Sequence, residues 1–181
     1  MKERNLPHED HWATPDDFYN NLNLQYDFDF DPCPFMHDIN KWDGLKIEWK
    51  ERNYINPPYS DKKATGYLKT SFVKKALEES KKGKLCVLLL PVSTSTKLFH
   101  NIIKPNADSI ELLKGRLKFK GVNTKGQFVN YPNPTDDFIK QEGTWKLIPL
   151  YIKNSGMHDS MLVVFDGRIT FNYETNKETK F

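Results

Sequence analysis

The strongest constraint on the fold is Leu85-Cys86-Val87-Leu88-Leu89-Leu90, an unbroken apolar run closed by Pro91. A strand with one face in water alternates polar and apolar residues, whereas a strand covered on both faces reads as a continuous apolar run. The run is far too short to cross a membrane. Pro91 has no N–H to extend a ladder. The chain must therefore cover both faces of a sheet, and its flanks supply the covers. Tyr67 to Lys82 reads as an amphipathic helix, with Leu68, Phe72, Val73, Ala76 and Leu77 at helical spacing, lysines elsewhere, and Gly83 as its stop. Ser93 to Thr96 offers caps for a helix over Lys97 to Ile103. Ser109 to Leu113, Gly115 to Phe119 and Met161 to Phe165 read as further strands. Strands alternating with helices predict an α/β fold with a mostly parallel central sheet and helices on both faces.

Two strands end in prolines. Tyr26-Asp27-Phe28-Asp29-Phe30-Asp31 alternates aromatic and acid, the pattern of a half-buried strand, and runs into Pro32-Cys33-Pro34. Asn53-Tyr54-Ile55 runs into Asn56-Pro57-Pro58-Tyr59. A residue before proline is driven to extended backbone, so each junction is a stiff corner at a strand's C-terminal edge, where open α/β sheets bind ligands. Asp31 either caps its turn or faces a cationic or hydroxylated ligand. The second corner offers a primary amide, a rigid carbonyl and an aromatic ring. The amide oxygen of Asn56 and the carbonyl of Pro57 are suited to accept from one exocyclic amino group, with Tyr59 flat against the base that carries it. Such chemistry needs no ionisable base, and it suits methylation of a nucleobase amine. The bland alternative for the same string is a surface turn.

Upstream, Trp12-Ala13-Thr14-Pro15-Asp16-Asp17 predicts a helix from about Pro15 to Leu22, with Thr14 as N-cap and Pro15 in the first turn. Trp12 lies ahead of the cap with no evident core role and is a candidate stacking residue. Asp43-Gly44-Leu45 is a turn pair that also offers a carboxylate. Arg116, Lys118, Lys120 and Lys125 gather at the entry to residues 120–159, a polar stretch of weak periodicity with several prolines. Irregular stretches of that length inside a domain usually have a function, and this one reads as an insertion and candidate DNA-recognition element. The tail after Asp166 is polar, with one edge strand expected at Arg168 to Tyr173.

At 181 residues the chain suits one domain, residues 1–181. A formal charge of +3 permits nucleic-acid binding without demanding it. Cys33 and Cys86 have neither disulfide-framework nor zinc-type spacing, and no metal is expected. The polar stretch from Met1 to Asp10 is unlike a signal peptide. These features predict a cytoplasmic protein, in the host cell cytoplasm if it is phage-encoded. No Gly-x-Gly-x-x-Gly is present, so the usual dinucleotide fingerprint is missing.

Taken together in this order, Trp12-Ala13-Thr14-Pro15, Asp31-Pro32-Cys33, Asp43-Gly44-Leu45 with Trp49, Asn56-Pro57-Pro58-Tyr59-Ser60, Leu90-Pro91 with Ser93 to Thr96, Gly115 to Phe119 and Leu162 to Phe165 resemble the small phage-type DNA N-6 adenine methyltransferases, over roughly residues 12 to 165. The 120–159 segment departs from the pattern by looking longer. The resemblance implies a Rossmann-like fold with an antiparallel C-terminal strand, S-adenosylmethionine as methyl donor and double-stranded DNA as substrate, with the protein a monomer or weak dimer. It implies that Asn56, Pro57, Pro58 and Tyr59 hold a flipped adenine. It places Trp12, Thr14, Pro15, Asp31, Pro32, Cys33 and, near the adenosine, Asp43 on the cofactor, and Ser60, Arg116, Lys118 and Lys120 on DNA. Two alternatives stay open: the same corner serves methyltransferases of RNA bases or protein glutamine amides, and a decayed methyltransferase fold would bind DNA without catalysis.

Overall fold

The computed structural model describes residues 12–35, 41–59, 68–122, 128–130, 151–152, 158–172 and 177–180. Its centre is a four-stranded sheet in the order β1 (Arg52–Ile55), β2 (Leu85–Pro91), β7 (Ser160–Asp166), β3 (Ser109–Leu112). Strand β2 is buried along its whole length, as its apolar run requires. Alternate residues face opposite ways, so Leu85, Val87 and Leu89 join one core while Cys86, Leu88 and Leu90 join another. Strand β7 splits likewise, with Leu162 and Val164 opposite Met161, Val163 and Phe165.

Helices α1 (Asp16–Tyr26) and α2 (Leu68–Ser80) cover the two faces. Leu22 of α1 packs with Tyr54, Leu85 and Leu89, and Phe119 covers the same side. Phe72, Val73 and Ala76 of α2 pack on the other side with Ile55, Leu88 and Phe165. Gly83, at φ +92, ends the α2 segment by giving its N–H to Ser80, the left-handed stop that glycine takes most easily.

The expectation of a mostly parallel sheet is not met. Strand β1 pairs with β2 in parallel, but β2 and β3 each pair antiparallel with β7. The cause is the insertion of β7 between β2 and β3. Three strands nevertheless run the same way and one runs against them. Phe28 to Asp31 adds a further co-directed edge: Phe30 bridges Asn53 in parallel, and its carbonyl accepts from the N–H of Tyr54 at 2.9 Å.

Other boundaries also differ from expectation. Helix α1 begins at Asp16 and continues through Tyr26, and the strand expected from Tyr26 to Asp31 does not form: only Phe30 makes a bridge, to Asn53. Asp27 closes the helix in the left-handed conformation, and the side chain of Asn23 accepts the N–H of Phe28 at 2.8 Å. Thr14 is not the side-chain cap; the N-cap position falls to Pro15, without a capping bond. The helix expected to Ile103 is a π-helix, Phe99–Ile103, followed by one α-helical turn, α3 (Lys104–Asn106). Thr96 does cap it, accepting the N–H of Phe99 at 3.2 Å. Gly115 to Phe119 pairs with no strand among the described residues, though Phe119 and Leu117 pack against the core.

Within the 120–159 segment lies a small sheet of β4 (Gly121–Val122), β5 (Phe128–Val129) and β6 (Tyr151–Ile152), antiparallel then parallel. Most of the segment, with Lys125, lies outside the described residues. A hairpin of β8 (Ile169–Asn172) and β9 (Lys177–Lys180) follows. Among the described residues no helix is long and apolar enough to cross a membrane, and no cluster of His, Cys, Asp or Glu could hold a metal ion.

Candidate active site

The parallel run of Phe28 to Asp31 beside β1 carries both proline-stopped corners to one rim. There they border a single cleft of about 160 Å³, lined by Trp12, Ala13, Thr14, Asp16, Tyr19, Asp31, Cys33, Phe35, Tyr54, Asn56 and Pro58.

The first corner is built mainly from nearby chain. Asp31 Oδ1 accepts the N–H of Cys33 at 2.8 Å, so the carboxylate does cap its own turn while also facing the cleft. The Pro32 carbonyl accepts the indole N–H of Trp42 at 3.2 Å. Gly44 lies directly against that carbonyl: a Cβ at Gly44 would fall 1.9 Å from the oxygen. Trp49 Nε1 and Lys75 Nζ hold the Gly44 carbonyl from outside at 2.7 and 3.2 Å, and Lys75 also reaches the carbonyls of Leu45 and Ile47.

Asp43 does not line this cleft. Its carboxylate accepts the N–H of Leu45 and pairs with Lys46 at 3.0 Å. Those contacts hold the carboxyl below the usual carboxylate range, the Lys46 hydrogen bond contributing most. Its turn braces the first corner through Gly44.

The second corner is held by distant chain. Asn56 Nδ2 donates to the Trp12 carbonyl at 2.7 Å. That bond fixes which end of the amide is nitrogen and leaves Oδ1 as the acceptor end. Pro57 is buried and Pro58 lines the cleft. Tyr59 is not among the lining residues; its ring stands edge-on to Phe119 with centroids 6.2 Å apart, and its hydroxyl donates to the Leu89 carbonyl at a long 3.4 Å. Ser60 lies outside the described residues.

Trp12 to Thr14 form a strap over the cleft. The Thr14 hydroxyl, free of capping duty, meets the buried Tyr54 hydroxyl at 2.6 Å. Ala13 and Lys120 exchange two backbone hydrogen bonds, at 2.7 and 2.9 Å. Lys120 Nζ reaches Asp16 Oδ1 at 2.6 Å. Arg116 pairs with Asp159 at 3.1 Å in the open, and Lys118 has an exposed side chain. The three cations therefore do not form one free patch: two are already matched with acids.

Among the described residues, neither the thiol nor the tyrosines of the site are suited to abstract a proton near neutrality. Burial pushes the Cys33 thiol well above its ordinary value, with the Asp31 carboxylate adding to the rise and the Asn56 N–H opposing it. Burial likewise raises Tyr54, Tyr59 and Tyr19, and Asp31 adds to the last. All four stay protonated at pH 7. What remains among the described lining residues is the carboxylates of Asp31 and Asp16, the latter paired with Lys120, the amide of Asn56 and the rings of Trp12, Tyr19 and Phe35. Aromatic faces beside a carboxylate attract a cationic ligand, and a carboxylate also accepts from hydroxyl groups. This donor set fits the charged end of S-adenosylmethionine.

Tyr19, Tyr54, Ala13 and Asp16 escape sequence reasoning because aromatics inside regular elements read as core and first-turn acids read as helix stabilisers. The available signal was spacing: Asp16 and Tyr19 are three apart on a helix that starts beside the strap.

No curated protein and no solved structure matches the chain. The sequence model of the DNA N-6-adenine-methyltransferase (Dam) family matches residues 3–143, well over half of the 181 residues, and it takes in both corners and the strap: the chain belongs to that family.

Proposed function

We propose that this protein transfers the methyl group of S-adenosylmethionine to the 6-amino group of an adenine swung out of double-stranded DNA at a specific sequence. One observation carries the reading: the Trp12 carbonyl orients the Asn56 amide on a cleft that also contains Asp31. The parallel pairing of β1 with β2 and the parallel bridge from Phe30 to Asn53 support a Rossmann-like frame for the site.

The bound cofactor would supply a methyl group on positively charged sulfur. Asp31, Cys33 and the backbone of Pro32 form its corner, with Trp12, Thr14 and Pro15 as the strap opposite. Asn56 Oδ1 and the Pro57 carbonyl accept the two N–H groups of the adenine amine. They draw its hydrogens into fixed positions, enrich the nitrogen and aim its lone pair. Pro58 stiffens the corner. Tyr59 stacks on the base, a contact worth about 1–3 kcal/mol, against a few kcal/mol for extruding it. The corner is formed before substrate arrives, so its acceptors act without reorganisation. The proton leaves the methylated, cationic amine for water, since neither the thiol nor the tyrosines take it at pH 7. The exposed Lys118 and the 120–159 segment beyond Gly121 are the proposed contacts with DNA.

The test is transfer of labelled methyl to unmethylated phage or bacterial DNA, followed by nucleoside analysis. Asn56→Ala should bind cofactor normally and lose about 10²–10³-fold in rate, the usual effect of deleting one oriented hydrogen-bonding group. Retained turnover in that variant would sink the assignment. Cofactor binding without incorporation into DNA would move the substrate to RNA or protein amides. Loss of both in the wild type would mean a decayed fold.

A further inference from the structure

The segment Phe119 to Gly121 grips both ends of the Asn56 to Tyr59 corner. At one end, the Phe119 ring meets Tyr59 edge-on. At the other, Lys120 pairs with Ala13 through two backbone bonds and with Asp16 through its ammonium. Gly121 lies beneath the Trp12 ring so closely that an added Cβ would fall 2.6 Å from Cε3. Trp12 in turn holds Asn56. The same three residues open the small sheet of the 120–159 segment: Gly121 pairs with Val129, and Asn130 Nδ2 donates to the Phe119 carbonyl at 2.9 Å.

We propose that Lys120 and Gly121 are positioning residues, which seat the Trp12 to Thr14 strap so that the Trp12 carbonyl holds the Asn56 amide in its productive orientation. The proposal rests on the functional reading above. It removes Lys120 from the expected phosphate contacts: the side chain is 19 % exposed and already matched by Asp16. It also makes the entry of the 120–159 segment part of the catalytic apparatus, acting through Asn56.

The experiment uses the full chain with Gly121→Ala, Lys120→Met, Lys120→Arg, Asp16→Asn and the Asp16→Asn/Lys120→Met double variant. Steady-state methylation at saturating cofactor is followed with DNA binding across a salt series, melting temperature and the Asn56 side-chain amide resonance. Gly121→Ala should lower kcat by about 100-fold, the scale of a 1 Å misplacement. Lys120→Met and Asp16→Asn should each lower kcat by about fivefold, the upper range for a partly exposed ion pair. The double variant should be no worse than either single, Lys120→Arg should recover activity, and KM for DNA and its salt slope should stay unchanged. The Asn56 amide resonance should shift in Gly121→Ala and Lys120→Met.

A phosphate contact at Lys120 would instead leave kcat alone, reduce the salt slope by about one, and let Asp16→Asn tighten DNA binding; that outcome overturns the proposal. So does a lower melting temperature with kcat and the Asn56 resonance unchanged. If the wild type methylates no DNA, the functional reading falls, and the resonance still decides the coupling: a shift supports it and none overturns it.

Discussion

The two corners on the rim share a design and differ in what holds them. Asn56-Pro57-Pro58-Tyr59 ends strand β1 in prolines, and Asp31-Pro32-Cys33-Pro34 ends an extended segment that runs parallel beside it through the single bridge of Phe30 to Asn53. The first corner is tied by bonds between residues 2 and 10 positions apart, Asp31 to Cys33 and Pro32 to Trp42. The second is tied across 44 and 30 positions, Asn56 to Trp12 and Tyr59 to Leu89. A locally closed turn forms once its own loop is in place, because closing a short loop costs little entropy. The second corner takes shape only after the strap, β2 and Phe119 have converged. The corner that would carry the reacting amine is thus the one whose geometry other parts of the chain can change. Cys33, buried and in contact with the Asn56 N–H, is where the two meet.

The sharpest way to break this contrast is to disrupt the local corner from beneath. Gly44→Ala puts a Cβ 1.9 Å from the Pro32 oxygen and 2.8 Å from its carbon, and both are backbone atoms that cannot rotate away. The turn must separate from the corner, at a cost of about 3 kcal/mol, the upper end for overpacking. Chemical denaturation should show that loss, together with weaker cofactor binding. A Gly44→Ala protein as stable and as tightly binding as wild type would mean that the Asp43 turn does not brace the Asp31 corner.

A smaller effect is expected on the strap. Thr14→Val removes the hydroxyl that meets Tyr54 at 2.6 Å and leaves a phenol that is 2 % exposed without that partner. A stranded buried hydroxyl costs about 1–3 kcal/mol. Thr14→Ser keeps the oxygen and should recover most of the loss. If Thr14→Val and Thr14→Ser unfold at the same denaturant concentration, the bond does not hold the strap.

Alkaline pH probes the junction of the corners. The folded protein keeps the Cys33 thiol protonated well above its ordinary value of 9.0, and burial pushes Cys86 in β2 up to about 12. A raised folded value means the native state holds the proton that the unfolded chain gives up, so the contribution to stability is complete below pH 9 and declines as pH rises beyond it. Melting temperature should be level from pH 7 to 8.5 and fall from pH 9 to 11. Cys33→Ala should make the fall shallower. An unchanged slope in that variant would remove Cys33 from the account.

What the sequence made legible follows the same division. The β2 run, the α2 stripe with its Gly83 stop and the two proline corners announced themselves, because each depends on residue type and near spacing. The misreadings arose where a distant partner decides. Tyr26 alternates like a strand residue, yet α1 absorbs it and Asn23 turns the chain after it. Thr14 has the chemistry of a cap, but Tyr54, 40 positions away, takes its hydroxyl. Lys120 shows the same limit in its pairing, since nothing near it in sequence announces Asp16, 104 positions earlier, as the partner of its ammonium. The order of the strands was hidden too, since nothing local in Met161 to Phe165 reveals that it enters between β2 and β3.

The mildest prediction concerns Tyr59, whose ring and hydroxyl make separable contributions. Its hydroxyl bond to Leu89 is long at 3.4 Å, beyond the usual 2.5–3.0 Å for O–H donors, so it contributes little to stability. The ring lies against Phe119 and meets the second core. In the proposed reaction the ring stacks on the base and the hydroxyl has no task. Tyr59→Phe should therefore change stability by less than about 0.5 kcal/mol and leave the methylation rate within about twofold. Tyr59→Ala should raise KM for DNA and lower the rate, because stacking is worth about 1–3 kcal/mol. Kinetics on the two variants side by side separate the cases. If Phe is as damaging as Ala, the hydroxyl acts in the reaction, and the Leu89 contact describes only where it rests before DNA arrives.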